Sequence, residues 1–92
     1  MSDELVGRRA VVRGRVQGVF FRDSVREHAH AQGVAGWIRN RSDGAVEAVL
    51  EGRPDAVELV VRFLHTGPPR ARVESVDVSD EPPQGLTGFE VR

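Results

Sequence analysis

A chain of 92 residues, 39% hydrophobic and 29% charged, has the length of one domain. Its net charge of −1 offers nucleic acid or a membrane surface no bulk attraction, so any anion site has to be local. There is no cysteine, and every basic side chain other than histidine is arginine; disulfides, thiol nucleophiles, a Schiff-base lysine and the lysine of a nucleotide-binding loop are all excluded.

The acidic start Met1-Ser2-Asp3-Glu4 lacks the apolar core of a secretory signal, and no apolar run approaches the roughly 20 residues that span a bilayer. A soluble, cytoplasmic protein is expected. Residues 1–7 read as a loose lead-in. Residues 8–16 alternate as a strand, with Ala10, Val12, Gly14 and Val16 on one face and Arg9, Val11, Arg13 and Arg15 on a solvated one. After a loop at Gly18, helical spacing of Val25, Ala29 and Gln32 predicts a helix over 22–32, stopped by Gly33. Its apolar stripe is thin, so Phe20 and Phe21 are expected to help anchor it.

Residues 35–41 form a second strand and Ser42-Asp43-Gly44 a hairpin turn. In the third strand, 45–50, Val46, Ala48 and Leu50 share a face; Glu47 and Glu51 fall opposite, where they read as solvated charges. Pro54 suits the first turn of a second helix, in which Val57, Val60, Val61 and Leu64 make the clearest apolar stripe of the chain. Gly67-Pro68-Pro69 ends that helix. In the fourth strand the spacing slips between Val73 and Val76, which predicts a bulge, and Phe89-Glu90-Val91 makes a short last strand. The order β-α-β-β-α-β plus a terminal strand matches the split β-α-β, ferredoxin-like α+β sandwich. An antiparallel sheet is expected, with both helices on one face, the other face open, and residues 1–92 forming a single domain.

The chemistry concentrates in Gly14-Arg15-Val16-Gln17-Gly18-Val19-Phe20-Phe21-Arg22. A glycine-relieved turn lets successive backbone N–H groups face one concavity. The helix start adds unpaired N–H groups and partial positive charge, and Arg22 adds a planar fork of donors suited to two phosphate oxygens. A phosphate cradle and an ordinary strand-to-helix connection both fit this spacing. Asn40, the only asparagine, ends the second strand. Its amide can accept from and donate to one water, or it can simply begin the hairpin turn. His28, His30 and His65 make no ligand spacing with carboxylates. Arg13, Arg15, Arg39 and Arg41 read as exposed strand charges offset by nearby acids. An RNA-binding module of this topology would need aromatics on its central strands, and this chain has no tyrosine.

The full strings are more specific. The first closely resembles the acylphosphatase signature Gly-Arg-Val-Gln-Gly-Val-x-Phe-Arg, with Phe20 at the variable position. Gly36-Trp37-Ile38-Arg39-Asn40, followed by a glycine turn, resembles that family's second motif. The stretch 67–73 resembles a later segment, so the similarity runs from about residue 9 to 78. It implies hydrolysis of a carboxyl–phosphate mixed anhydride to carboxylate and inorganic phosphate, with no metal or other cofactor. By motif position, Arg22 and the amides of Gln17, Gly18, Val19, Phe20 and Phe21 would hold the phosphoryl group, and Asn40 would orient the attacking water. The implied partner is a small-molecule acyl phosphate, with neither nucleic acid nor membrane, and a monomer is expected. A thiol phosphatase would need cysteine six positions before its loop arginine; Val16 stands there. A carboxylate is a weak base and leaves without an acid catalyst, so positioning and charge can carry the reaction. The alternative is a binding module that keeps the anion pocket without turnover. Arg41 and the close at Arg92 depart from many relatives, and neither is expected to touch Arg22 or Asn40.

Overall fold

A computed structural model describes residues 4–92; of the lead-in expected over residues 1–7, residues 1–3 lie outside the described residues. The elements are β1 (Val6–Arg15), α1 (Phe21–Gln32), β2 (Ala35–Asn40), β3 (Val46–Gly52), α2 (Pro54–Thr66), β4 (Arg72–Asp80) and β5 (Phe89–Val91). They form one five-stranded sheet in the order β4-β1-β3-β2-β5. β1 therefore begins earlier than the alternation suggests, because Val6 and Gly7 already pair with Gly52 and Glu51 of β3. The first four strands pair antiparallel. β5 adds parallel to β2, Trp37 opposite Glu90, so the sheet is mixed at that edge.

The two helices pack on one sheet face over a continuous core. From the sheet this core takes Ala10, Val12, Ile38, Val46, Ala48 and Leu50; from the helices it takes Phe21, Val25, Ala29, Val57, Val60 and Leu64. Complete burial of a Val, Leu, Ile or Phe side chain contributes about 1.5–3 kcal/mol before ordering costs, so the α2 stripe anchors that helix strongly. α1 has a thinner stripe and begins on Phe21, buried to 1% exposure. Phe20 does not share that role: it is 70% exposed and outside the core. The expected bulge is present. Arg13 pairs with Ser75 but Gly14 with Val73, leaving Glu74 as the extra residue of β4.

The face away from the helices is not left open. Glu47 and Glu51, expected as solvated charges, are 7% and 3% exposed. Two arginines from neighbouring strands close over Glu47: Arg9 of β1 is bonded to it, and Arg39 of β2 donates at 2.7 Å. Arg9 also donates to Glu81 at 3.0 Å and lies 5.7 Å from the centre of the Trp37 ring. Glu51 accepts from the backbone N–H groups of Gln84 and Leu86 at 2.6 and 3.0 Å. The segment between β4 and β5 is thereby held against the sheet like a strap. Alternation along a strand assigns a face; it cannot say that a strap and two arginines will cover it.

Candidate active site

The end of β1, the start of α1 and the β2–β3 hairpin meet at one end of the sheet. Between β1 and α1, Gly18 takes φ 74° and Phe20 φ 62°. Both are left-handed. For glycine this is free; for phenylalanine it costs roughly 1–2 kcal/mol. No backbone N–H of residues 17–23 donates to a described backbone carbonyl. The first amide to close the helical turn is that of Ser24, onto the Phe20 carbonyl at 3.1 Å. The amides of the expected cradle are therefore a run of donors at a helix N-terminus that no described backbone carbonyl takes up. A cavity of about 290 Å³ opens on it, lined by Val16, Gly18, Phe20, Phe21, Arg22 and Asp23. That is near the lower edge of the ordinary small-molecule range, about 300–1,000 Å³.

Arg22 lies in the first turn of α1, half-buried, and its Nη1 donates to the backbone carbonyl of Arg92 at 2.9 Å. This corrects the expectation that the carboxyl-terminal residues stay clear of Arg22. The chain beyond β5 is held in turn by Arg92 N–H donating to the Ile38 carbonyl at 2.8 Å and by the Arg92 guanidinium 4.8 Å from the Trp37 ring. β5 thus brings an acceptor to the arginine, which narrows the directions in which its remaining donors can point.

Asn40 is the last residue of β2 and pairs with Val46. The turn is closed by the next pair, Arg41 N–H to the Ala45 carbonyl at 2.8 Å. Asn40 therefore spends its backbone in the ladder and is not the turn former. Its side-chain Oδ1 is buried and has no hydrogen-bond partner among the described residues. Such an atom costs about 1–3 kcal/mol unless something satisfies it, and a water is the simplest candidate.

Asn40, Gln17 and Val19 are not among the residues lining the cavity; Gly18, Phe20, Phe21 and Arg22 are. Gln17 nevertheless ties the two parts together. Its Nε2 donates to the carbonyls of Arg41 and Ala45, at 2.9 and 3.0 Å, and so fixes the loop against the hairpin one residue from Asn40. The sequence places only the Gln17 amide at the candidate site and gives no role to its side chain; a polar side chain inside the first motif, among apolar and glycine neighbours, is the available signal. Arg41 turns aside to Asp43 at 3.1 Å, and Arg13 reaches the same carboxylate at 3.4 Å. The Ala45 N–H, and after it these two cations, holds the Asp43 carboxyl below the usual aspartate range. His28 stacks on Phe63 with ring centres 3.7 Å apart. Among the described residues no group of three His, Cys, Asp or Glu side chains converges as a metal site, and no helix is long and apolar enough to cross a membrane.

Comparison with known proteins agrees with the family resemblance. The acylphosphatase family profile matches residues 8–91. An acylphosphatase of Rubrobacter xylanophilus is 61% identical over 91% of this chain and 77% of its own length. One from Natronomonas pharaonis is 50% identical over 100% of this chain and 99% of its own. The structure of an acylphosphatase from Coxiella burnetii superposes with a TM-score of 0.92 at 38% identity, covering 96% of this chain and 93% of that one. The chain belongs to the acylphosphatase family.

Proposed function

We propose that the acylphosphatase activity of this chain is carried by Arg22, the amides of residues 17–21 and Asn40. The phosphoryl group of an acyl phosphate sits on the uncommitted amides, with Arg22 on its equatorial oxygens. Asn40 Oδ1 accepts a hydrogen bond from a water and aims the water oxygen at phosphorus. A bond forms from that oxygen to phosphorus as the bond from phosphorus to the acyl oxygen breaks. The carboxylate leaves with the electron pair, and the proton lost by the water passes to the phosphate product or to solvent. Charge spreads over the equatorial oxygens of a loose transition state, where fixed donors stabilise it most. The reaction then needs neither an acid for the leaving group nor a metal or other cofactor.

The supporting observation is the unpartnered, buried Oδ1 of Asn40, an acceptor that the fold leaves unspent beside a hairpin stitched to the phosphate loop. The same reading takes the working protein as a cytoplasmic monomer free of nucleic acid and membrane. One chain supplies every group, and a cysteine-free sequence needs no oxidising compartment. The test is benzoyl phosphate hydrolysis with a chelator present, wild type beside Asn40→Ala. Turnover that resists the chelator and falls about 10²–10³-fold in the variant, with inorganic phosphate still inhibiting the residual activity, is expected. A folded wild type that binds phosphate without turnover would sink the reading in favour of a binding module.

A further inference from the structure

Phe20 is the one large side chain of the loop that the fold does not use. Its neighbour Phe21 enters the core at 1% exposure, whereas Phe20 is 70% exposed and is not a member of the core cluster. It occupies a left-handed backbone position, φ 62°, the only non-glycine residue with positive φ among the described residues. Glycine would hold that conformation without strain and asparagine with little. A strained benzyl group that faces mostly solvent is expected where function needs the side chain. It also lines the cavity that carries the uncommitted amides and Arg22.

The rest of the lining defines what the ring would meet. Arg22 and the amides account for the phosphoryl end of a ligand. Asp23 adds a carboxylate to the wall, 3.4 Å from Arg26, and a second anionic group on the ligand would face that acid. Val16, Phe20 and Phe21 supply apolar carbon. The complement of this wall is an uncharged, apolar acyl group, best a flat one, since aromatic rings pair by offset stacking or edge contact.

We propose that Phe20 is the acyl-recognition residue of the site and selects acyl phosphates with aromatic or bulky apolar acyl groups over acetyl phosphate. The proposal rests on the phosphoryl-cradle reading above. Within that frame, binding energy from the acyl end holds phosphorus in line with the attacking water, so the preference enters kcat/KM.

The experiment compares kcat/KM for benzoyl phosphate and acetyl phosphate, each corrected for spontaneous hydrolysis, in the wild type, Phe20→Asn and Phe20→Gly. Taking the ratio within each protein cancels any damage the substitution does to the phosphate cradle itself. Asparagine and glycine both accept the left-handed backbone, so thermal melts are expected to show folded variants. The benzoyl-to-acetyl ratio is expected to fall about tenfold in both, the size of one lost aromatic contact plus part of its burial. A ratio unchanged in either folded variant would overturn the proposal, including the case in which both substrates slow equally. A wild type that hydrolyses neither substrate would instead remove the cradle reading on which the proposal stands.

Discussion

The two ends of the polar inventory behave oppositely. On the sheet face away from the helices every carboxylate near the middle is satisfied. Glu47 lies under Arg9 and Arg39, Glu51 takes two backbone N–H groups, and Glu81 completes the set on Arg9. At the loop between β1 and α1 the reverse holds. Among the described residues, amides 17–23 donate to no backbone carbonyl and Asn40 Oδ1 accepts nothing, and Phe20 sits strained and exposed. Both regions hold arginines beside groups of complementary chemistry, so residue type alone does not separate them. What separates them is whether the protein itself spends the hydrogen bonds. A closed network stabilises the fold; an unspent one is available to a ligand.

Substitution can break this contrast from either side. The largest effect belongs to Asn40→Ala, whose loss in turnover is expected with little change in Tm. Glu47→Ala is the converse. Removing that buried carboxylate leaves two arginines without their shared partner. Arg9 keeps Glu81 and both cations stay partly solvated, so a cost of about 1–3 kcal/mol is expected rather than that of a fully buried pair. Urea titration reads it as a lower midpoint at unchanged slope, while kcat on benzoyl phosphate stays close to wild type. A Glu47→Ala protein that keeps its stability but loses turnover would dissolve the distinction.

Much of the site was legible because its elements are local in sequence. The run from Gly14 to Arg22 carries strand, glycine turn and arginine within nine positions, and the α2 stripe at Val57, Val60, Val61 and Leu64 reads directly as a buried face. Contacts between distant segments were not legible. Glu47 and Arg39 lie within one hairpin, but Arg9 and Glu81 are 72 residues apart, and nothing in the pattern of β3 indicates that a strap from beyond β4 will bury Glu51. The bond from Arg22 to the Arg92 carbonyl spans 70 residues and depends on β5 adding parallel at the far edge. Phe20 and Phe21 are identical side chains in adjacent positions. Which one enters the core is decided by the left-handed turn, not by hydropathy.

Gln17 sits on the boundary between the two kinds of region. Its amide belongs to the proposed cradle, while its side chain spends both donors on the Arg41 and Ala45 carbonyls and so holds the loop against the hairpin that bears Asn40. Gln17→Glu keeps the shape and removes both donors. Loop and hairpin then lose their register, and a misplaced water lowers the rate more than it weakens phosphate binding. A fall in kcat of about tenfold is expected, with a smaller change in KM and in inhibition by inorganic phosphate. Equal losses in kcat and affinity, tracking a drop in Tm, would make Gln17 a structural residue only.

The smallest effect sharpens the satisfied side. The Arg9 guanidinium, bonded to Glu81 through two nitrogens, holds the Glu81 carboxyl below its ordinary value of 4.5. The folded state therefore binds this proton less readily than the unfolded chain. Its contribution to stability is complete above the ordinary glutamate range and fades as pH falls toward the depressed folded value. Tm measured downward from neutral pH should hold level and then decline once the pH passes below about 4.5. Glu81→Gln should melt lower at neutral pH and decline less steeply, and the two curves should converge in acid, where Glu81 is protonated in both states. Curves that stay parallel across the whole range would mean that Arg9 gains nothing from Glu81 and is held by Glu47 alone.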